Sequence, residues 1–366
     1  MWPASSNNKK NFLQKYFNNF MIALSILAVM ADIVTAYHDN NLTIEHLMEQ
    51  LIALSALFSV FYCSICFMSK KHEIKILVQN LTKFEKYTPK SLIQETDKRI
   101  SFYSKCFIIY GVVGNMFYAL SPLLSYKSCL EERHFNKYGI SCGTIVSYVL
   151  PFKHNYAPWS QIVFLQQYYT CNLGTVIIMT ITMLLSGILM LCNTHLQYLE
   201  SLILKTSTVD RRFIYEHIYY CVKFHTAIIE YTDEINDSFS LMMLLHICGT
   251  SFIISVLGFA ILIEANYSNG VRFSMHLAGW FGMLFVICYY GQTLMDKSSH
   301  LSIAAYDTLW YEVPFKVRES LCLVLLRSQR PLVLKAAGVN VMSFATFLGV
   351  LSTSYSYFTL FLKIKP

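Results

Sequence analysis

The chain has 366 residues, of which 55% are hydrophobic and 14% charged, with a mean hydropathy of +0.43 and a formal net charge of +7. A water-soluble domain of this length carries about a quarter of its residues as charges, so the composition excludes that class and indicates an integral membrane protein. The positive balance reads as a topogenic bias, with weak attraction to anionic lipid, and implies no nucleic-acid partner.

Seven apolar stretches follow in chain order: about Phe20 to Tyr37, Leu47 to Met68, Phe102 to Ser125, Ile162 to Cys192, Leu241 to Glu264, Phe273 to Met295 and Gly338 to Leu362. Each reaches about 18 residues or more, enough at 1.5 Å per residue to cross a hydrocarbon core of about 30 Å. A mostly polar segment precedes the first stretch and no clear small-x-small cleavage site follows it, so it is expected as a retained span. It contains Asp32, the one clear acid inside a span on this reading. An intramembrane acid is expected to turn inward and hydrogen-bond to a neighbouring helix.

The N-terminal segment and the connections after spans two, four and six hold twenty Lys and Arg residues, against seven on the other side. Cytoplasmic loops hold such an excess, so the N-terminus is expected inside and the C-terminus outside. The same connections, Ser69 to Ser101, Asn193 to Ser240 and Asp296 to Leu334, are too long for simple turns. Leu196, Leu199 and Ile203 recur at helical steps, as do Cys221, Phe224, His225, Ile228, Tyr231, Ile235 and Phe239. The pattern predicts amphipathic helices that continue spans four and five beyond the membrane. They are expected to pack there with a helix from about Val317 to Arg327, ended by Pro331.

Most of the eleven cysteines fall within spans, where the thiol behaves as a small apolar group. Cys129 and Cys142 share the long external loop; their spacing leaves the bridged and free states both open. Four glycosylation sequons occur, at Asn41, Asn80, Asn236 and Asn266, and the expected topology puts only the first and last outside. No His-Glu-x-x-His, paired Cys-x-x-Cys, Gly-rich phosphate loop or nucleophile elbow is present in the sequence, so neither a metal, a cofactor nor an enzymatic activity is expected.

The last stretch carries a stripe of Thr346, Gly349, Thr353, Ser356, Leu360 and Lys363, kept on one helical face by steps of three and four. Small and hydroxyl side chains in a span mark either close helix packing or a water-filled path, and periodicity leaves both open.

Four C-terminal motifs are informative together: Tyr289-Tyr-Gly-Gln-x-Leu, Ser298-Ser-x-Leu-x-x-Ala-Ala-Tyr-x-x-x-Trp310, Leu326-Arg-Ser-Gln-x-Pro331 and Ser354-Tyr-Ser-Tyr-Phe-Thr-Leu360. With a Cys221-x-x-x-His225 pattern and a Leu150-Pro151-Phe152 element, they make the chain resemble the insect odorant receptors. The resemblance implies an all-α membrane protein of seven transmembrane helices with a cytoplasmic anchor bundle. It also implies an odorant-gated, non-selective cation channel in the plasma membrane of olfactory sensory neurons. There a tuning subunit assembles with the odorant receptor co-receptor into a heterotetramer around a central pore.

On that resemblance residues 1–19 form the cytoplasmic N-terminus and 20–295 the six-helix ligand-binding region, including cytoplasmic helices at 193–240. Residues 296–334 form the anchor helices and 335–366 the pore-lining seventh helix. The pore positions are Thr353, Ser356, Leu360 as the hydrophobic constriction, and Lys363. Lys363 departs from the co-receptor, which has glutamine there, and a cationic ring opposes cation flow, which favours heteromers. The odorant pocket is expected in the outer half, between spans two, three, four and six, with Met116, Tyr118, Gln167, Tyr168, Cys171, Met275, Trp280 and Phe281 as ligand-binding candidates. A mostly apolar pocket with few hydrogen-bonding groups favours volatile or cuticular hydrocarbons.

Three alternatives fit less well. A gustatory receptor of the same superfamily ends differently from Ser-Tyr-Ser-Tyr-Phe-Thr. A G-protein-coupled receptor has the opposite orientation, an Asp-Arg-Tyr triplet after span three and an Asn-Pro-x-x-Tyr motif in its last span. A transporter would carry inverted repeats and broken helices at the midplane.

Overall fold

The computed structural model describes residues 8–39, 43–124, 126–127, 142–150, 158–264 and 267–364. In chain order these form α1 (Asn8–His38), α2 (Ile44–Ser69), α3 (Lys71–Asn80), a 3-10 segment (Leu81–Lys86) and α4 (Lys90–Leu124). Then come α5 (Trp159–Leu204), α6 (Ile214–Ile263), α7 (Tyr267–Asp307), α8 (Phe315–Ser328), a two-stranded ribbon of β1 (Lys335–Ala336) and β2 (Asn340–Val341), and α9 (Phe344–Ile364). Seven helices are long and apolar enough to cross a membrane: α1, α2, α4, α5, α6, α7 and α9.

Helices α5 and α6 run for 46 and 50 residues without a break. At 1.5 Å per residue a helix of that length spans about 70 Å, more than twice the hydrocarbon core, so each extends well beyond it. Their far halves are held by the stripes visible in the sequence. Leu196, Leu199 and Ile203 of α5 meet Cys221, Phe224, Ile228, Ile235 and Phe239 of α6 in one core, completed by Leu294 and Leu301 of α7 and Val317, Leu321 and Val324 of α8. The 3-10 segment inserts Phe84, which stacks on His195 at 4.6 Å and meets Tyr231 edge-on at 5.2 Å. Tyr87 beside it stacks on Phe224 at 4.8 Å. A second core fills the other half of the molecule, with Ile22, Met48, Ile52, Ile253, Val256, Phe259, Phe273 and Trp280.

Asp32 turns toward α2, where its Oδ2 accepts from Gln50 Nε2 at 2.8 Å and lies 2.7 Å from His46 Nε2. Cys142 is disulfide-bonded. Cys129, Asn41, Asn266, Pro151 and Phe152 lie outside the described residues.

The seventh span starts later than the apolar pattern suggests. Residues from Gly338 onward form the ribbon turn, with positive φ at Ala337 (48°) and Gly338 (73°), and helix begins only at Phe344. The left-handed conformation at two successive residues breaks any helix, and glycine takes it without a Cβ penalty. The ribbon is seated by residues of the C-terminal motifs. Leu332 N donates to Ser298 Oγ at 2.8 Å and Phe344 N to Gln292 Oε1 at 3.4 Å. Asn236 of α6 grips the same segment from both sides, accepting from Lys335 N at 2.7 Å and donating to Val333 O at 2.9 Å. Gly291 makes room for it, because a Cβ there would collide with the Met342 carbonyl oxygen.

Candidate functional site

A cavity of about 190 Å³ opens between α2, α4, α5 and α7 in the half of the molecule opposite the α5–α8 bundle. Its floor and sides are mostly apolar, with Ile52, Leu57, Val60, Ile178, Phe273 and Met283, while Ile145, Val146 and Tyr148 line it from the segment before α5. Gly114 of α4 faces it with nothing within 4 Å of its absent side chain, so the cavity keeps its width there.

Five of the eight ligand-binding candidates line this space: Tyr118, Gln167, Cys171, Met275 and Trp280. The other three do not. Met116 is half exposed on the outer face of α4, and Phe281, also largely exposed, packs edge-on against Phe347 of α9 at 5.1 Å. Tyr168 stacks on Phe164 one turn back along α5. In each case an adjacent or near-adjacent residue faces the cavity instead, because one step along a helix turns the side chain by about 100°.

Gln167 is a clamp. Its Oε1 accepts from Ile145 N at 2.7 Å and Val146 N at 3.3 Å, and its Nε2 donates to Val146 O at 2.7 Å. Both amide groups are thus engaged in holding the lining segment in place.

The polar groups of the cavity were largely missed by sequence reasoning. Arg272 at the start of α7 reaches Glu49 near the start of α2, Nη2 to Oε1 2.7 Å, with side-chain exposures of 6% and 33%. Glu49 is therefore a second acid within an apolar stretch, and Arg272, assigned from sequence to an external loop, is a buried wall residue. The guanidinium also lies over the rings of Phe273 (4.8 Å) and Tyr118 (5.3 Å), contacts that favour a cation. His276 joins Trp280 Nε1 at 2.9 Å to Tyr118 Oη at 2.7 Å. Asn115 donates to Asn172 Oδ1 and accepts from Thr175 Oγ1, both at 3.1 Å, and Tyr110 donates its hydroxyl to the Met275 carbonyl. The available signal was a pair of opposite charges at equivalent depths of spans two and six, which nearest-neighbour patterns do not connect.

On α9, the side facing the chain is Phe347, Val350, Ser354, Phe358 and Phe361; Ser354 Oγ donates to Ser251 O at 2.9 Å and Phe361 meets Phe259 at 5.7 Å. Gly349, Thr353, Ser356, Leu360 (53% exposed) and Lys363 point away from the rest of the chain, with Thr346 half-buried at the start of the stripe. Thr353 and Ser356 satisfy their hydroxyls on Gly349 O and Ser352 O of their own helix. The stripe is therefore not a packing face within this chain. Among the described residues no group of three or more His, Cys, Asp or Glu is placed to hold a metal.

Seven helices long and apolar enough to cross a membrane, with a small, mostly apolar cavity framed by α2, α4, α5 and α7, define a multi-pass membrane protein with a candidate small-molecule site. The chain belongs to the 7tm odorant receptor family, whose model matches residues 43–355. It is similar to odorant receptor 85b of Drosophila melanogaster, 29% identical over 151 residues that cover 41% of this chain and 38% of that one. It is also similar to odorant receptor 85c of the same fly, 31% identical over 139 residues, 38% of this chain and 36% of that one. The matched segment thus spans well under half the length of these relatives. The fold is that of the insect olfactory receptor OR5 from Machilis hrabei in complex with eugenol, with a TM-score of 0.85 at 15% identity, covering all of this chain and 93% of that one. A second structure of that receptor gives 0.82. These relatives are receptors and not enzymes.

Proposed function

We propose that this chain is the tuning subunit of an odorant-gated, non-selective cation channel. It binds a small volatile in the cavity between α2, α4, α5 and α7 and pairs with the odorant receptor co-receptor in a heterotetramer at the plasma membrane of olfactory sensory neurons. The cavity carries this reading: it is mostly apolar and of small-ligand size, in a chain of the odorant receptor family. The solved receptor with eugenol supports a ligand of that size. On this reading the N-terminus is cytoplasmic, and residues 20–295 hold the ligand-binding helices, with 193–240 and 296–334 as cytoplasmic anchor. Within 335–366, α9 (Phe344–Ile364) supplies the pore helix.

The outward stripe of α9 supports pore lining, because small and hydroxyl residues exposed on an apolar span avoid lipid by facing another subunit or water. Leu360 is then the constriction, with Thr353 and Ser356 nearer the middle of the helix and Lys363 at its end. Four lysines in one ring would repel cations, whereas one or two among co-receptor subunits dilute that field. Ligand opens the pore only by binding the open state more tightly than the closed one.

Recordings from cells expressing the chain with and without the co-receptor test this. Odorant-evoked cation current is expected only on co-expression and independently of G proteins; equal current from the chain alone would sink the heteromer. Leu360→Ala is expected to raise resting leak several-fold in co-expressing cells, and leak and gating identical to the parent channel would remove Leu360 from the gate.

A further inference from the structure

The His276 relay fixes where its protons lie. An indole N–H only donates, so the 2.9 Å contact from Trp280 Nε1 requires a lone pair on His276 Nε2. A neutral imidazole with that lone pair carries its hydrogen on Nδ1. Nδ1 lies 2.7 Å from Tyr118 Oη, so the ring donates and the phenol accepts. The Tyr118 hydroxyl hydrogen therefore points elsewhere, and among the described residues it has no second hydrogen-bond partner. Tyr118 lines the cavity. The buried Nε of Arg272, on another wall of the same cavity, has no partner either.

Three other polar side chains of the lining are already engaged. Gln167 is taken up by the Ile145–Val146 backbone, Tyr110 by the Met275 carbonyl, and Asn115 by Asn172 and Thr175. The cavity thus offers unfilled donors within an otherwise apolar wall.

We infer that the cavity selects an apolar volatile bearing one hydrogen-bond acceptor, a ketone or ester carbonyl, over a hydrocarbon of the same shape, with the Tyr118 hydroxyl donating to that oxygen. This rests on the reading of the cavity as the odorant site, and it replaces the hydrocarbon preference expected from sequence. Leaving a buried donor unmade is costly, so a ligand that fills it gains over its isostere what a hydrocarbon forfeits.

The test uses isosteric pairs: acetophenone against α-methylstyrene, and straight-chain 2-ketones of six to ten carbons against the matching 2-methyl-1-alkenes. Binding to the purified receptor is read by thermal stabilisation, and activation by current in co-expressing cells. At least one ketone is expected to bind about tenfold more tightly than its alkene twin. Tyr118→Phe should bring that ratio to about one by weakening the ketone alone. Trp280→Phe provides a variant that leaves Tyr118 in place. Without the indole N–H, His276 is free to carry its hydrogen on Nε2 and accept from Tyr118, so this change should also collapse the ratio. A series in which no ketone outbinds its twin, or in which Tyr118→Phe weakens both members equally, overturns the inference. Selective ketone binding without any current would leave it standing and instead count against the channel reading.

Discussion

Glu49→Gln is expected to lower the unfolding temperature of the purified receptor, and to lower it more than Arg272→Met does. The two residues form one ion pair at 2.7 Å, but their surroundings differ: the Arg272 side chain is 6% exposed and Glu49 33%. Removing the carboxylate strands a guanidinium that has little water to turn to, although the Tyr118 and Phe273 rings and the Ile145 carbonyl at 3.5 Å offset part of the loss. Removing the guanidinium leaves a carboxylate that is less buried and opens onto the cavity, where water has room to reach it. Breaking a buried pair from one side costs roughly 3 kcal/mol, and replacing both members by uncharged groups of similar size recovers much of that. The double variant Glu49→Gln with Arg272→Met is therefore expected to be more stable than Glu49→Gln alone. Thermal unfolding of the four forms in detergent gives the coupling directly. Additive losses, or a Glu49→Gln protein that melts with the parent, would show that the pair holds nothing together.

This pair also marks the boundary of what was legible in the sequence. The spans, the extensions of α5 and α6 and the short helix α8 were readable because each depends on hydrophobic periodicity within one segment. Leu196, Phe224 and Ile228 are fully buried because the stripe that defines them is the face of contact. Arg272 and Glu49 are separated by 223 positions, and nothing local to either announces the other. The cavity shows a related limit. The stretches that line it were identified, but not the rotation of each helix, so Tyr118, Gln167 and Trp280 reach the space while Met116, Tyr168 and Phe281 do not. His276 was not among the candidates, because its ring lies among mostly apolar neighbours in sequence and joins Tyr118 only through packing of α4 on α7. At the start of the seventh span, apolar composition could not distinguish helix from ribbon; the left-handed pair Ala337–Gly338 decides it.

That ribbon makes Gly291→Ala the substitution with the widest expected effect. Gly291 sits on α7 where the backbone of Met342 passes, and an added Cβ would overlap the Met342 carbonyl oxygen. A flexible side chain would yield, but this obstacle is backbone and is held. Met342 N donates to Leu334 O at 2.8 Å, the Met342 side chain is fully buried, and Phe344 begins α9 two residues later. Relief requires the ribbon to shift off α7, which strains the contacts of Gln292, Ser298 and Asn236 together. Overpacking of this kind costs about 1–3 kcal/mol, and here the strain falls on the one connection between the α5–α8 bundle and α9. Leu334, Ala336 and Met342 belong to the same core as the bundle, so some thermal stability is lost with the shift. The cavity lies in the other half of the molecule, so among receptors that reach the surface ligand binding is expected to be retained, and evoked current per surface receptor to fall about tenfold or more with α9 mispositioned. Gly282→Ala on the same helix supplies the comparison, since its Cβ would meet nothing within 4 Å and alanine favours a helix by about 1 kcal/mol over glycine. Current normalised to surface-labelled receptor separates the two; if Gly291→Ala behaves like Gly282→Ala, close seating of the ribbon on α7 does not set the position of α9.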